Sequence, residues 1–242
     1  MNIGNISAKW ASLDPARPAI IDIPNDRRLS FGALDERVRR LANGLVDQCG
    51  LSKGDRVAVL SKNCIPYFEI YLACARVGLI AQPLNWRLGV AELARIVEDG
   101  EPGVFVSDAE FATERNQLAA QLQIPHWLEY GSGSDGSYDA LVHAARNEEP
   151  RDAAQVGNDD PVLILYTGGT TGLSKGALHS HKSLYMGMIN QTVAERVVPT
   201  DVYMLTGQMF HIPVALAMNY LAHGCPVVLI NFEAKQALEV IQ

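Results

Sequence analysis

The chain has 242 residues and a net charge of -7, with 48% hydrophobic and 19% charged residues. A chain of this length can bury a substantial core, and the composition excludes intrinsic disorder. The acidic balance leaves no basic footprint for nucleic acid, although a local nucleotide site is compatible with it.

Cys49, Cys64, Cys74 and Cys225 form no Cys-x-x-Cys pair and no Cys/His cluster at ligand spacing, so they read as reduced thiols and no metal site is expected. Met1-Asn2-Ile3-Gly4-Asn5 lacks the blocks of a signal peptide, and no apolar run reaches spanning length. A soluble, cytoplasmic protein is the expectation.

Helices and strands alternate along the chain, which predicts an α/β fold of sheets covered by helices. Ile20–Ile23 reads as a short strand. Ser30 then caps a helix whose Leu34, Val38, Leu41, Ala42, Leu45 and Val46 form one apolar stripe, closed near Gly50. Lys53-Gly54-Asp55 turns into a strand over 56–60. A helix over 66–77 stops at Gly78, and a strand follows over 79–83.

The pattern continues with a helix over 92–99, a strand over 103–106 and a helix over 109–121. The Gly/Ser-rich run from Gly131 to Ser137 reads as a flexible loop. Val162-Leu163-Ile164-Leu165 is a buried strand. Beyond it come a strand at 176–179, a helix over 182–196, a strand at 203–205, a helix over 214–222 and a strand over 226–230. The last ten residues form helix without a stop signal, as in a chain cut off mid-architecture or a natural terminal helix that frays.

Between the strands at 162–165 and 176–179 runs Tyr166-Thr167-Gly168-Gly169-Thr170-Thr171-Gly172-Leu173-Ser174-Lys175-Gly176. Its glycines allow close backbone approach and positive φ, and its successive amides can converge on an anion as a nest. Three threonines add hydroxyl donors and Lys175 adds a mobile positive charge. A Walker loop needs glycine before the lysine and Ser or Thr after it, whereas Ser174 and Gly176 stand there. The glycine spacing of a dinucleotide fingerprint is also missing. Phosphates would therefore be held by a hairpin-like loop rather than by a helix dipole. The competing reading is a plain Gly/Thr surface turn.

These residues resemble the phosphate-binding signature of the adenylate-forming (AMP-binding) enzymes, which runs Tyr-Thr-Ser-Gly-Thr-Thr-Gly-x-Pro-Lys-Gly with a Thr-His pair shortly after. Gly168-Gly169 replaces Ser-Gly, Ser174 replaces the proline, and Ser180-His181 matches the pair. The resemblance covers nearly the whole chain. Leu29 to Val38 is similar to the family's early helix, Gly54 to Val59 to its first sheet entry, and Pro83-Leu84-Asn85-Trp86-Arg87-Leu88 to its Pro-Leu-Asn-x-Arg-Leu segment. Gln208-Met209-Phe210-His211 is similar to its Pro-x-Phe-His motif, with Gln208 in place of the proline.

The resemblance implies the N-terminal portion of an acyl-CoA synthetase or fatty-acid-CoA ligase. Residues 1–157 would be a first α/β subdomain, and 158–242 the phosphate-loop region and the start of a second. Such an enzyme activates a carboxylic acid with ATP to acyl-AMP and passes the acyl group to CoA, using Mg²⁺. Thr167, Gly168, Gly169, Thr170, Thr171, Gly172 and Lys175 would hold the nucleotide's phosphates.

Phe210 would line the acyl pocket. His211 is the catalytic candidate beside the carboxylate or phosphate, against the reading of a histidine satisfied at the surface. His181 would order the loop's exit, and Asp159 and Asp160 would sit on a solvated turn or cap a strand, a metal role being the alternative. The family's adenine, ribose and lysine motifs have no counterpart here, so the isolated chain is expected to be inactive. A non-catalytic nucleotide- or partner-binding module and a vestigial truncated product are the alternatives; a homodimer is compatible with each.

Overall fold

The computed structural model describes residues 2–131, 136–167 and 174–241. In chain order the elements are α1 (Ile6–Leu13), β1 (Pro18–Asp22), β2 (Arg27–Ser30), α2 (Phe31–Asp47), β3 (Arg56–Leu60), α3 (Ile65–Val77), β4 (Ile80–Leu84), α4 (Val90–Gly100), β5 (Val104–Asp108), α5 (Ala112–Ala119), β6 (His126–Tyr130), α6 (Ser137–Ala144), β7 (Pro161–Thr167), β8 (Lys175–Ser180), α7 (His181–Glu195), β9 (Tyr203–Leu205), α8 (Pro213–Ala222), β10 (Val227–Leu229) and α9 (Ala234–Ile241). Short 3-10 turns lie at Ile3–Asn5, Ala109–Phe111 and Arg151–Gln155.

The strands form a six-stranded sheet, β6-β5-β3-β4-β7-β8, and a four-stranded sheet, β2-β1-β10-β9. Both are mainly parallel, with antiparallel pairs at β7–β8 and β1–β2. Sheet membership does not follow chain order. The hairpin of β7 and β8 joins the sheet built from the first half of the chain, whereas β9 and β10 extend the sheet that begins with β1.

Period-two patterning explains the layering, because successive strand residues face opposite sides. On β3, Val57 and Val59 enter the central core while Ala58 and Leu60 enter a second cluster with Leu93, Ile96 and Val97 of α4. The central core takes side chains from both sheets and from α2, α3 and α8. Val228 and Ile230 face a third cluster with Ala237 of α9. The result is helix, sheet, helix, sheet, helix.

Every residue of α3 is buried. An all-round apolar helix of this kind belongs between two layers. Burying Tyr67, Phe68, Ile70 and Leu72 stabilises the fold by about 1.5–3 kcal/mol per side chain. Its two charged residues are neutralised in place. Glu69 meets Arg37 at 2.6 Å and accepts from the Tyr138 hydroxyl at 2.7 Å. Arg76 meets Asp35 at 2.8 Å and Glu149 at 3.0 Å, and donates to the Gly4 carbonyl at 2.8 Å. Pro66 sits in the first turn, where a missing N–H removes no helical bond, and Gly78 closes the helix at φ +77°.

The helix expected over 109–121 divides into a 3-10 turn and α5, because the Asp108 carboxylate accepts from Glu110 N–H at 3.0 Å and caps a tighter first turn. The loop expected from Gly131 to Ser137 is shorter, since Ser137 already begins α6 and its hydroxyl accepts from Glu129 N–H at 2.8 Å. Residues 132–135 lie outside the described residues.

Candidate functional site

β4 and β7 are neighbouring parallel strands, and both end at the same side of the six-stranded sheet. Ligands of open α/β sheets bind beyond such carboxyl ends. A cleft of about 260 Å³ opens there. Pro83, Leu84 and Asn85 line it from β4 and the turn after it, and Tyr166 and Thr167 from the end of β7. Ser174, just before β8, and Phe210 and His211 complete the lining. Three separate sequence segments thus meet at one opening.

The hairpin register places Thr167 opposite Lys175 and Tyr166 opposite Gly176. Space at 176 is tight: a Cβ there would lie 2.7 Å from Ile164 Cδ1 and 3.1 Å from the Tyr166 ring, and the flexible end of Ile164 would have to give way. The Tyr166 hydroxyl donates to Asp99 of α4 at 2.7 Å. Burial and this carboxylate both push the phenol's pKa up, so it stays a donor. Thr167 and Lys175 are exposed at the hairpin's open end, and the Lys175 ammonium meets no carboxylate among the described residues. Gly168, Gly169, Thr170, Thr171 and Gly172 lie outside the described residues. Lys175 is not among the residues lining the cleft itself, whereas Thr167 and His211 are.

Ser180 caps α7, its hydroxyl accepting from Ser183 N–H at 3.2 Å. His181 is buried, and its Nδ1 accepts from Ile3 N–H at 3.1 Å. Burial holds this imidazole neutral and lowers its pKa to about 4, with nearby Asp160 opposing the shift. Asp160 pairs with Lys53 at 2.5 Å and accepts from Gly157 N–H at 2.6 Å, and its own pKa is lowered by those contacts. His181 therefore ties the start of the chain to the β8–α7 junction.

His211 closes a turn, its N–H donating to the Gln208 carbonyl at 3.2 Å. Gln208, where the resemblance would have proline, accepts from Trp86 Nε1 at 3.0 Å. Trp86 also packs 6.3 Å from Phe111, and the Arg87 guanidinium lies 4.7 Å from the Trp86 ring and 5.9 Å from Phe210. Two supports of this turn carry no motif signal. The Asn63 side chain accepts from Met209 N–H at 2.9 Å and donates to the Gly207 and Ile230 carbonyls at 2.8 and 3.2 Å. The Tyr71 hydroxyl donates to the Met209 carbonyl at 2.9 Å. Asn63 shows only as a polar residue between β3 and an apolar helix.

Among the described residues no group of three or more His, Cys, Asp or Glu side chains is placed to hold a metal ion. No helix among them is long and apolar enough to cross a membrane.

The fold and cleft define an α/β domain whose paired strands carry a Thr/Gly/Lys hairpin beside a Phe-His turn. A model of the AMP-binding enzyme family matches residues 7–242, and the chain belongs to that family. It is 30% identical over 211 residues to the long-chain-fatty-acid–CoA ligase FadD13 of Mycobacterium tuberculosis, covering 87% of this chain and 41% of that protein.

Among solved structures, the inhibitor-bound N-terminal domain of FACL13 from Mycobacterium tuberculosis superposes with a TM-score of 0.91 at 26% identity, covering 99% of this chain and 60% of that one. ATP-bound MatB from Rhodopseudomonas palustris superposes with a TM-score of 0.85 at 30% identity, covering 100% of this chain and 48% of that one. The chain spans less than half the length of FadD13.

Proposed function

We propose that this chain is the N-terminal part of an ATP-dependent acyl-CoA synthetase. The observation that carries the proposal is the convergence of Thr167, Phe210 and His211 on one cleft at the carboxyl ends of β4 and β7. Attack of a carboxylate on the α-phosphate gathers charge on phosphorus and on the departing pyrophosphate. Pre-placed donors and cations are what stabilise such charge.

In this reading Thr167, Gly168, Gly169, Thr170, Thr171, Gly172 and Lys175 hold the β- and γ-phosphates. Lys175, unpaired among the described residues, is free to neutralise them. Magnesium enters with the nucleotide as Mg·ATP. His211 is held at the carboxylate and α-phosphate, and Phe210 shields that end of the acid. CoA is the acyl acceptor, and the complete reaction uses the further chain that the longer relatives possess.

Apolar side chains left open on α7 favour a second reading, a module that docks a partner. Val193 is 74% exposed and Met186 49%. Calorimetry separates the two. The chain is expected to bind Mg·ATP weakly, to lose that binding at least tenfold with Lys175→Ala, and to catalyse no ATP–pyrophosphate exchange with any carboxylic acid. Tight binding untouched by Lys175→Ala would sink the loop assignment. Robust exchange would sink the requirement for further chain, and no nucleotide binding would leave the docking module.

A further inference from the structure

We infer that Asn63 is the positioning residue for His211, acting through the turn at 207–211. The inference rests on the reading that His211 works at the cleft. Asn63 is 2% exposed, and all three of its side-chain hydrogen bonds end on backbone: one accepted from Met209 N–H, two donated to the carbonyls of Gly207 and Ile230. An amide is the side chain that can do this, because it presents an acceptor and two donors in one plane. Its two ends bond to different groups, so its orientation is fixed.

The anchor is itself secured. The Tyr130 hydroxyl donates to Ser61, whose hydroxyl also bonds the Lys62 carbonyl at 2.9 Å, and Cys64 Sγ lies 3.1 Å from the Tyr130 oxygen. Asn63 therefore projects from a rigid corner after β3, on the six-stranded sheet. It grips the chain just beyond β10, on the four-stranded sheet, and the turn that carries His211. The same side chain fixes the spacing between the two sheets and the place of the imidazole. Met209, the residue it holds most directly, is fully buried, whereas His211 two positions on is exposed to the cleft. Orientation is thus set in the interior and delivered at the surface.

The test uses the whole chain with ¹⁵N-labelled histidine rings and amide hydrogen exchange. In Asn63→Ala the Met209 amide should exchange at least tenfold faster. The His211 ring signal should move or split, while those of His179 on β8 and His181 at the start of α7 stay in place, and the Mg·ATP dissociation constant should remain within twofold. Asn63→Asp, nearly identical in shape, keeps the acceptor and loses both donors; there the Met209 amide should stay protected and the His211 signal should still move. It carries the test if the alanine variant does not fold.

An unmoved His211 signal in Asn63→Asp overturns the inference, as do equal changes at all three histidines. If the parent chain binds no Mg·ATP, the nucleotide reading fails. The His211 comparison in nucleotide-free protein still decides the role of Asn63.

Discussion

On one side of the cleft, β7 and β8 carry Thr167 and Lys175 out to an exposed hairpin end whose outer strand has a neighbour on one edge only. On the other side, the turn bearing Phe210 and His211 rests on buried Asn63 and Tyr71. The first wall presents charge and donors with little interior support. The second presents a turn whose backbone at Met209 is held by hydrogen bonds from the core. On the proposed reading, the hairpin contributes affinity and can sit exposed, because phosphate attracts cations and donors over a range of positions. On the same reading His211 must meet one reacting atom and so needs support from the interior, because a displacement of about 1 Å can lower a rate a hundredfold.

The largest stability effect should come from crowding the buried wall. A Cβ on Gly207 would stand 2.5 Å from Pro213 Cγ and 2.7 Å from its Cβ. That ring is rigid and begins α8, so the turn or the helix must shift. Gly207→Ala should lower unfolding stability by about 1–3 kcal/mol in urea titrations.

An intermediate, pH-dependent effect belongs to His181, buried where β8 passes into α7. His181 has its pKa lowered from 6.5 to about 4 in the folded chain, mainly by burial. The unfolded chain binds its proton first, so the contribution is complete above pH 6.5 and is lost as pH falls towards 4. Protonation puts a hydrogen on Nδ1, the atom that accepts from Ile3. The parent should lose more stability than His181→Gln between pH 7 and 4.5; parallel curves would show that His181 does not titrate with unfolding.

The smallest effect is expected for Gly176→Ala. Its new Cβ meets the flexible end of Ile164 at 2.7 Å. The crowding is offset by the lower chain entropy of the unfolded alanine variant, for a net change under about 1 kcal/mol. If Gly176→Ala and Gly207→Ala cost the same, the distinction between the walls collapses.

Most of the architecture was legible because its signals are local. The stripe of α2, the Gly78 stop and the apolar run of β7 each reflect burial that repeats at one period. The antiparallel pairing of β7 with β8 matches the hairpin reading of the Thr/Gly/Lys loop. The elements that left no such signal have physical reasons. β2, Arg-Arg-Leu-Ser, is an edge strand with two exposed arginines. α1 has one fully buried residue, Ser7, whose hydroxyl donates to Asp35 at 2.9 Å.

α6 begins at the end of a Gly/Ser run whose composition reads as loop. At the cleft, Thr167, Phe210 and His211 come from segments the sequence singles out, whereas the supporting Asn63 and Tyr71 carry no motif signal. Nothing local to Asn63 indicates a partner 146 residues away. The same holds for Gln208, whose side chain takes a bond from Trp86 122 residues earlier.

β1 pairs with β10 through Ile20–Val227, Ile21–Val228 and Asp22–Leu229, and Arg17 donates to the carbonyls of Gly224 and Pro199. This closure has a consequence for synthesis. A ribosome adding about 5–20 residues per second needs roughly 10–40 s to make β10 after β1 has emerged. Throughout that interval β1 has only β2 beside it, and a two-stranded ribbon is marginally stable in water. The six-stranded sheet, whose β3, β4, β5 and β6 come from residues 56–130, is available earlier. The nascent chain therefore carries one unfinished sheet past a nearly finished one, and Ile20 and Ile21 are the apolar surface a chaperone would meet.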